Sequence, residues 1–182
     1  MSDAQDPAEE LKTTPLDALN RELGGRMVPF AGYAMPVQFP AGIIAEHNQT
    51  REKASLFDVS HMGQLRLHGE SAATALERLV PGNLEGLKPG RMRYSMLTTD
   101  AGTIIDDLMV TREVGGLFVV VNASRFDADL PHMEANIGSD VEIEVLGGRA
   151  LVALQGPAAS AALADLAPDA GAMPFMSSLA LS

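Results

Sequence analysis

Residues 91–122, RMRYSMLTTDAGTIIDDLMVTREVGGLFVVVN, decide the fold. Three apolar-rich runs, 91–98, 103–111 and 117–122, are separated by Thr99-Asp100-Ala101-Gly102 and by Glu113-Val114-Gly115-Gly116. Both links carry glycine where a tight turn needs a positive φ, so the runs read as consecutive antiparallel strands. On the N-terminal side, residues 62–67 (MGQLRL) alternate as a strand does. Residues 71–80 read as a helix that turns Ala72, Ala75, Leu76 and Leu79 inward. On the other side, Ser124 caps a helix to about residue 137, which Pro131 should bend or shorten, and 141–146 is a further strand. The order β-α-β-β-β-α-β is a split βαβ with one extra strand. This predicts an α+β protein with a ferredoxin-like subdomain, an antiparallel sheet under two helices.

Further out, the boundaries are set by composition. Residues 1–12 are acidic and polar and read as a flexible tail. Residues 13–60 form an N-terminal segment: a short helix from Thr14-Pro15 to about residue 23, an ordered loop over 26–40 (RMVPFAGYAMPVQFP), and a helix over 42–54 with Ile43, Ile44, His47 and Thr50 on one face. Residues 61–147 are the ferredoxin-like subdomain. Residues 148–182 start a second unit: a strand at 149–154, a helix opened by Pro157 to about residue 166, and a β-leaning apolar run from 173 onward. The chain looks truncated there.

Whole-chain numbers narrow the class. The 182 residues are 46% hydrophobic, enough for one real core, and 13 Lys+Arg against 24 Asp+Glu give a net charge of −11. That balance excludes phosphate-driven nucleic-acid binding as the main activity. Zero Cys removes disulfides, thiolate metal sites and a Cys nucleophile, and no apolar run is long enough to span a bilayer. The acidic start predicts a soluble cytoplasmic chain with no leader.

The oddest local feature is Asp106-Asp107 inside Ile104-Ile105-Asp106-Asp107-Leu108-Met109-Val110. Asp is disfavoured in strands, and period two sends the pair to opposite faces, one of them toward the core. A carboxylate there loses solvation and needs a partner. None of His47, His61, His68 and His132 has metal-ligand spacing, so no metal is expected. Asp58, Ser60 and His61 are neighbours in sequence without a nucleophile elbow, and His61 reads as a structural histidine in a strand-entry turn. No GxGxxG or GxxxxGK[ST] pattern is present. Lys88, Arg91 and Arg93 place three cations in six residues, either a solvated rim or a docking spot for an acidic partner.

Several longer motifs, in order, carry a resemblance. They are TPL at 14–16, RMVPFAGYAMPVQF at 26–39, LFDVSHMGQ at 56–64, RYSMLTTDAGTIIDDLMV at 93–110, VVNAS at 120–124 and LQGP at 154–157. Together they resemble the N-terminal half of the T-protein family of the glycine cleavage system, within the folate-binding aminomethyltransferase superfamily. The match runs from about residue 13 to the last residues. The resemblance implies a tetrahydrofolate-dependent aminomethyltransferase, with tetrahydrofolate as co-substrate and the lipoylated H-protein as partner, monomeric at full length. It implies a catalytic role for Asp107, as electrostatic stabiliser or proton handler. It implies folate-site roles for Tyr94, Asn122 and Met62, and leaves Asp106 structural.

Family members are longer, with a second folate-domain portion that supplies a Glu and an Arg to the pterin and a small C-terminal β-barrel. The 182 residues alone are therefore expected to be inactive, to bind folate weakly and to expose apolar surface. Two relatives of different chemistry stay open: a folate-dependent demethylase, and a non-catalytic folate-binding factor for iron–sulfur assembly. The FDVSHM and IIDDL matches favour aminomethyl transfer, since the assembly factors match them poorly.

Overall fold

The computed structural model describes residues 10–181. Its elements are α1 (Asp17–Glu22), β1 (Arg26–Phe30), β2 (Tyr33–Gln38), α2 (Ile43–Glu52), β3 (Ser55–Asp58), β4 (Gly63–His68), α3 (Ala72–Glu77), β5 (Met92–Thr98), β6 (Ile104–Glu113) and β7 (Gly116–Val121). A 3-10 turn (Ala123–Arg125) then leads into α4 (Phe126–Ile137), β8 (Glu142–Val145), β9 (Val152–Gln155), α5 (Ala159–Ala164) and α6 (Pro168–Gly171).

The three runs that decide the fold are β5, β6 and β7, consecutive and antiparallel. The β6–β7 link is two residues, with Gly115 at φ 85°, the left-handed conformation a tight hairpin requires. They belong to a five-stranded sheet of order β5-β6-β7-β4-β8, antiparallel throughout. β7 and β8 therefore run the same way on either side of β4 and are joined by α4, which is a split βαβ. The extra strand places two strands, not one, between β4 and β5.

Register assigns the faces. Leu65 and Leu67 of β4 stand opposite Val119 and Leu117 of β7, and Val110 and Leu108 of β6 stand opposite Val119 and Val121. All seven are buried, and with Ala72, Ala75 and Leu76 of α3 and Met133 and Ile137 of α4 they form one core. Each large side chain in it contributes about 1.5–3 kcal/mol of transfer free energy. Gly63 lets α4 settle onto the sheet: a Cβ there would lie 2.4 Å from the Phe126 ring and 2.6 Å from Val121. The opposite face carries Gln64, Met96, Asp107, Met109 and Val120.

The N-terminal segment is anchored by Asp58. Its Oδ2 accepts from the Thr14 hydroxyl at 2.9 Å and from the Asn20 amide at 2.8 Å, and its Oδ1 accepts from the Ser60 N–H at 2.9 Å. Burial on its own would raise the Asp58 pKa. The donors from Ser60, Thr14 and Asn20 outweigh it and hold the group below its ordinary 3.8. A depressed folded value adds stability that is present above the ordinary pKa and is lost as pH falls through the folded one. Asp58→Asn is therefore expected to lower the unfolding midpoint at pH 7, with the deficit shrinking in acid below about pH 4. Urea titrations across pH check this, and a deficit that persists undiminished in acid contradicts it.

Several local expectations are corrected. Residues 26–40 are not a loop: β1 and β2 form a hairpin, with Phe30 paired to Tyr33 around Ala31 and Gly32, both at positive φ. Two prolines are accommodated because the hairpin is an isolated two-stranded sheet. Thr14 does not cap α1, since its hydroxyl is spent on Asp58 and the helix begins at Asp17. α2 lies against β2 and β3 but buries no residue fully, and Ile44 is 74% exposed, so its apolar side is left largely uncovered among the described residues. Pro131 does not shorten α4, which runs unbroken to Ile137. β3, which the sequence reading lacked, pairs with β9 in a separate two-stranded sheet. The run from residue 173 forms no strand; it lies against the start of β5 through Met92 N–H to Met176 O and Ser178 N–H to Gly90 O. Of the expected tail, residues 1–9 lie outside the described residues, while Lys12 is docked by bonds to Gly32 and Ala34.

Candidate functional site

Asp106 and Asp107 lie near the start of β6, next to the end of β7 where Asn122 follows Val121. Leu108 and Val110 point to the helices, so Asp106 shares their face and Asp107 takes the other. One side chain spans the edge between the two faces. Asn122 Nδ2 donates to Asp107 Oδ1 at 3.1 Å, to both carboxylate oxygens of Asp106 at 3.1 Å, and to the Asp107 carbonyl at 3.3 Å. Two amide protons thus serve four acceptors, which pins both carboxylates to one point.

Tyr94 of β5 stands opposite Met109, diagonal to Asp107 on the open face. A diagonal neighbour is within reach of a long aromatic side chain. Its phenol pKa is raised, first by hydrogen bonding to Asp107, then by burial and the charges of Asp107 and Asp106. The ring is 58% exposed, so the Asp107–Tyr94 pair opens outward beside Met96 and Val120.

Met62 sits elsewhere. It lines a cleft of about 430 Å³ at the end of the sheet, with Phe30, Ala31, His61, Asp106 and Asn122. That size is in the range of small-molecule sites. Asp107 and Tyr94 are not among its walls, so Asn122 is what joins the cleft to the open face. His61 packs edge-on to Phe30 at 5.4 Å, and burial depresses its pKa against the opposing pull of Asp58. The Ser60 hydroxyl is engaged with Leu151, donating to its carbonyl and accepting from its N–H. Ser60 and His61 therefore form no nucleophile–base pair.

Asp129 was missed by the sequence reading. It is 0% exposed, in the first turn of α4, and its carboxyl pKa is raised to about 7 by burial and by Asp106. The signal was available: Asp129, Met133 and Ile137 recur every four residues, so a carboxylate falls on the buried stripe. No group of three His, Cys, Asp or Glu among the described residues is arranged to hold a metal.

A family model described as the GCVT N-terminal domain matches residues 16–181. The chain belongs to this family. The GCVT chain is 46% identical over 180 residues to the mitochondrial aminomethyltransferase of Gallus gallus, covering 94% of this chain and 46% of that protein. It is 43% identical over 163 residues to the aminomethyltransferase of Deinococcus deserti, covering 87% and 45%. The glycine cleavage system aminomethyltransferase T of Bartonella henselae superposes with a TM-score of 0.86 at 38% identity, over 92% of this chain and 47% of that one. The GCVT chain thus spans a little under half the length of these relatives.

Asn122 is the residue whose removal reads out the site's own energetics. Asn122→Ala leaves Asp106 and Asp107 without their common donor, at an expected cost of about 1–3 kcal/mol. Urea unfolding at neutral pH measures it. An unchanged midpoint would mean that the amide does not hold the two carboxylates.

Proposed function

We propose that this GCVT chain supplies the transfer site of a tetrahydrofolate-dependent aminomethyltransferase of the glycine cleavage system. The observation that carries the reading is Asp107, fixed by Asn122 at 3.1 Å and set diagonal to Tyr94 on an open, largely apolar sheet face. The lipoylated H-protein presents its aminomethyl group as S–CH2–NH3+ on dihydrolipoate. The methylene passes to N5 of tetrahydrofolate, the C–S bond breaks, and ammonia leaves. The products are methylenetetrahydrofolate, ammonia and the dihydrolipoyl carrier.

Positive charge develops on the one-carbon unit as these bonds exchange. A carboxylate already oriented by the Asn122 amide stabilises that charge without reorganising, and it can take or return the amine proton. The apolar floor of Met96, Met109 and Val120 suits a flat heteroaromatic ring. Tyr94 and Asn122 act on Asp107 directly, and Met62 offers an apolar wall in the cleft beyond Asn122. Of the three cations considered for docking an acidic carrier, Arg91 already donates to the Phe175 carbonyl, which leaves Lys88 and Arg93 for that role.

The test is ammonia release from aminomethyl-loaded carrier protein, with the protein purified from its native source. Release that requires both carrier and tetrahydrofolate is expected, with none from the 182 residues alone. One-carbon transfer from an N-methylated amine without ammonia would make the protein a demethylase. Folate binding with no transfer at all would make it a binding factor.

A further inference from the structure

We propose that Asp106 and Asp129 share a single proton across the sheet–helix interface, and that this proton holds Asn122 on Asp107, making Asp129 a positioning residue for the site. Asp129 is fully buried in α4, and neither of its carboxyl oxygens has a hydrogen-bond partner among the described residues. Facing it is Asp106, on the helix side of β6. Two ionised carboxylates offer each other only lone pairs, so a stable contact between them needs one proton. Both oxygens of Asp106 already accept from Asn122. The proton therefore belongs on Asp129, which donates it to Asp106, and this satisfies a group that is otherwise unpaired.

The surrounding charges agree. β6 contributes Asp106 and Asp107, both unfavourable to a third anion, and the 3-10 turn contributes Arg125, which partly offsets them. The Arg125 guanidinium is itself bonded to the Ile105 carbonyl at 3.2 Å. β7 leads to Asn122, an uncharged donor. α3, packed on α4, carries only Glu77, whose carboxylate accepts from the N–H groups of Leu84 and Glu85. On α4 itself, His132 lies one turn on, with a buried Nε2 that has no hydrogen-bond partner among the described residues. Burial and Asp106 together lift the Asp129 carboxyl to about 7.

The sign follows from linkage. A carboxyl raised above its ordinary 3.8 adds stability that is complete below that value and is lost as pH rises through about 7. Above that point a third carboxylate charge lies beside Asp106 and Asp107, and its repulsion loosens their common hold on the Asn122 amide.

The test is a carbon-detected NMR titration of the aspartate carboxyls and the Asn122 side-chain amide in the 182-residue chain, with no folate present. It therefore succeeds or fails independently of the proposed reaction. We expect one carboxyl step near pH 7 belonging to the pair, and movement of the Asn122 amide with the same midpoint. Asp129→Asn, which keeps a neutral donor, should abolish that step and leave the Asn122 amide at its low-pH position throughout. No carboxyl titrating above about pH 5 overturns the shared proton. A step near 7 with an unmoved Asn122 amide overturns the positioning role, and both readings come from the wild-type chain even if the variant does not fold.

Discussion

On the proposed reading, Asp107→Asn is expected to lower aminomethyl transfer by the native-source protein at least about 100-fold, the scale on which a preplaced charge or proton-handling group acts. The substitution preserves shape and leaves a carbonyl oxygen to accept from Asn122, so the loss comes from charge and not from collapse of the site. In the proposed reaction the charge that Asp107 would answer develops mainly in the transition state, so the loss is expected in kcat, with KM for tetrahydrofolate changed by less. Steady-state ammonia release at saturating carrier separates the two. A kcat within twofold of wild type would remove Asp107 from the chemistry.

Leu65→Ala is expected to be the most damaging single truncation for folding. Leu65 is 0% exposed in β4, the strand that pairs with both β7 and β8, and it packs beneath α3 and α4. Leu-to-Ala changes at such sites cost about 2–5 kcal/mol through lost transfer energy and the remaining cavity. For a domain of this size each kcal/mol lowers Tm by about 2–4 °C. Ile44→Ala, at an exposed position of α2, should move Tm by less than about 2 °C. Thermal melts of both variants check the contrast, and equal effects would mean that the core is not organised around β4.

The ferredoxin-like sheet was legible because its signals are local. Three apolar-rich runs joined by glycine-bearing links specify β5, β6 and β7 with little help from the rest of the chain. The β1–β2 hairpin was hidden by Pro29 and Pro36, which argue against a central strand but not against an isolated two-stranded one. β3 was hidden for another reason: its four residues become a strand only by pairing with β9, about a hundred positions away. α2 misled because amphipathic periodicity says which side of a helix wants burial, not whether this chain supplies the cover.

The site was legible in part. Period two split Asp106 from Asp107, and the motif context then singled out Asp107. That Asn122 bonds to both carboxylates could not be read from sequence, because it depends on where β7 ends relative to the start of β6. Tyr94 meets Asp107 through the β5–β6 register, which a one-residue slip would have reversed. Met62 shares a cleft with Asn122 while standing apart from the open face, a separation only three-dimensional structure displays.

The most direct test of the central claim is a crystal structure of the native-source protein with tetrahydrofolate bound, read for the position of N5. N5 is expected within hydrogen-bond or single-water reach of the Asp107 carboxylate, with the ring over the face that carries Tyr94. A pterin bound elsewhere, with Asp107 facing only protein or solvent, would contradict it.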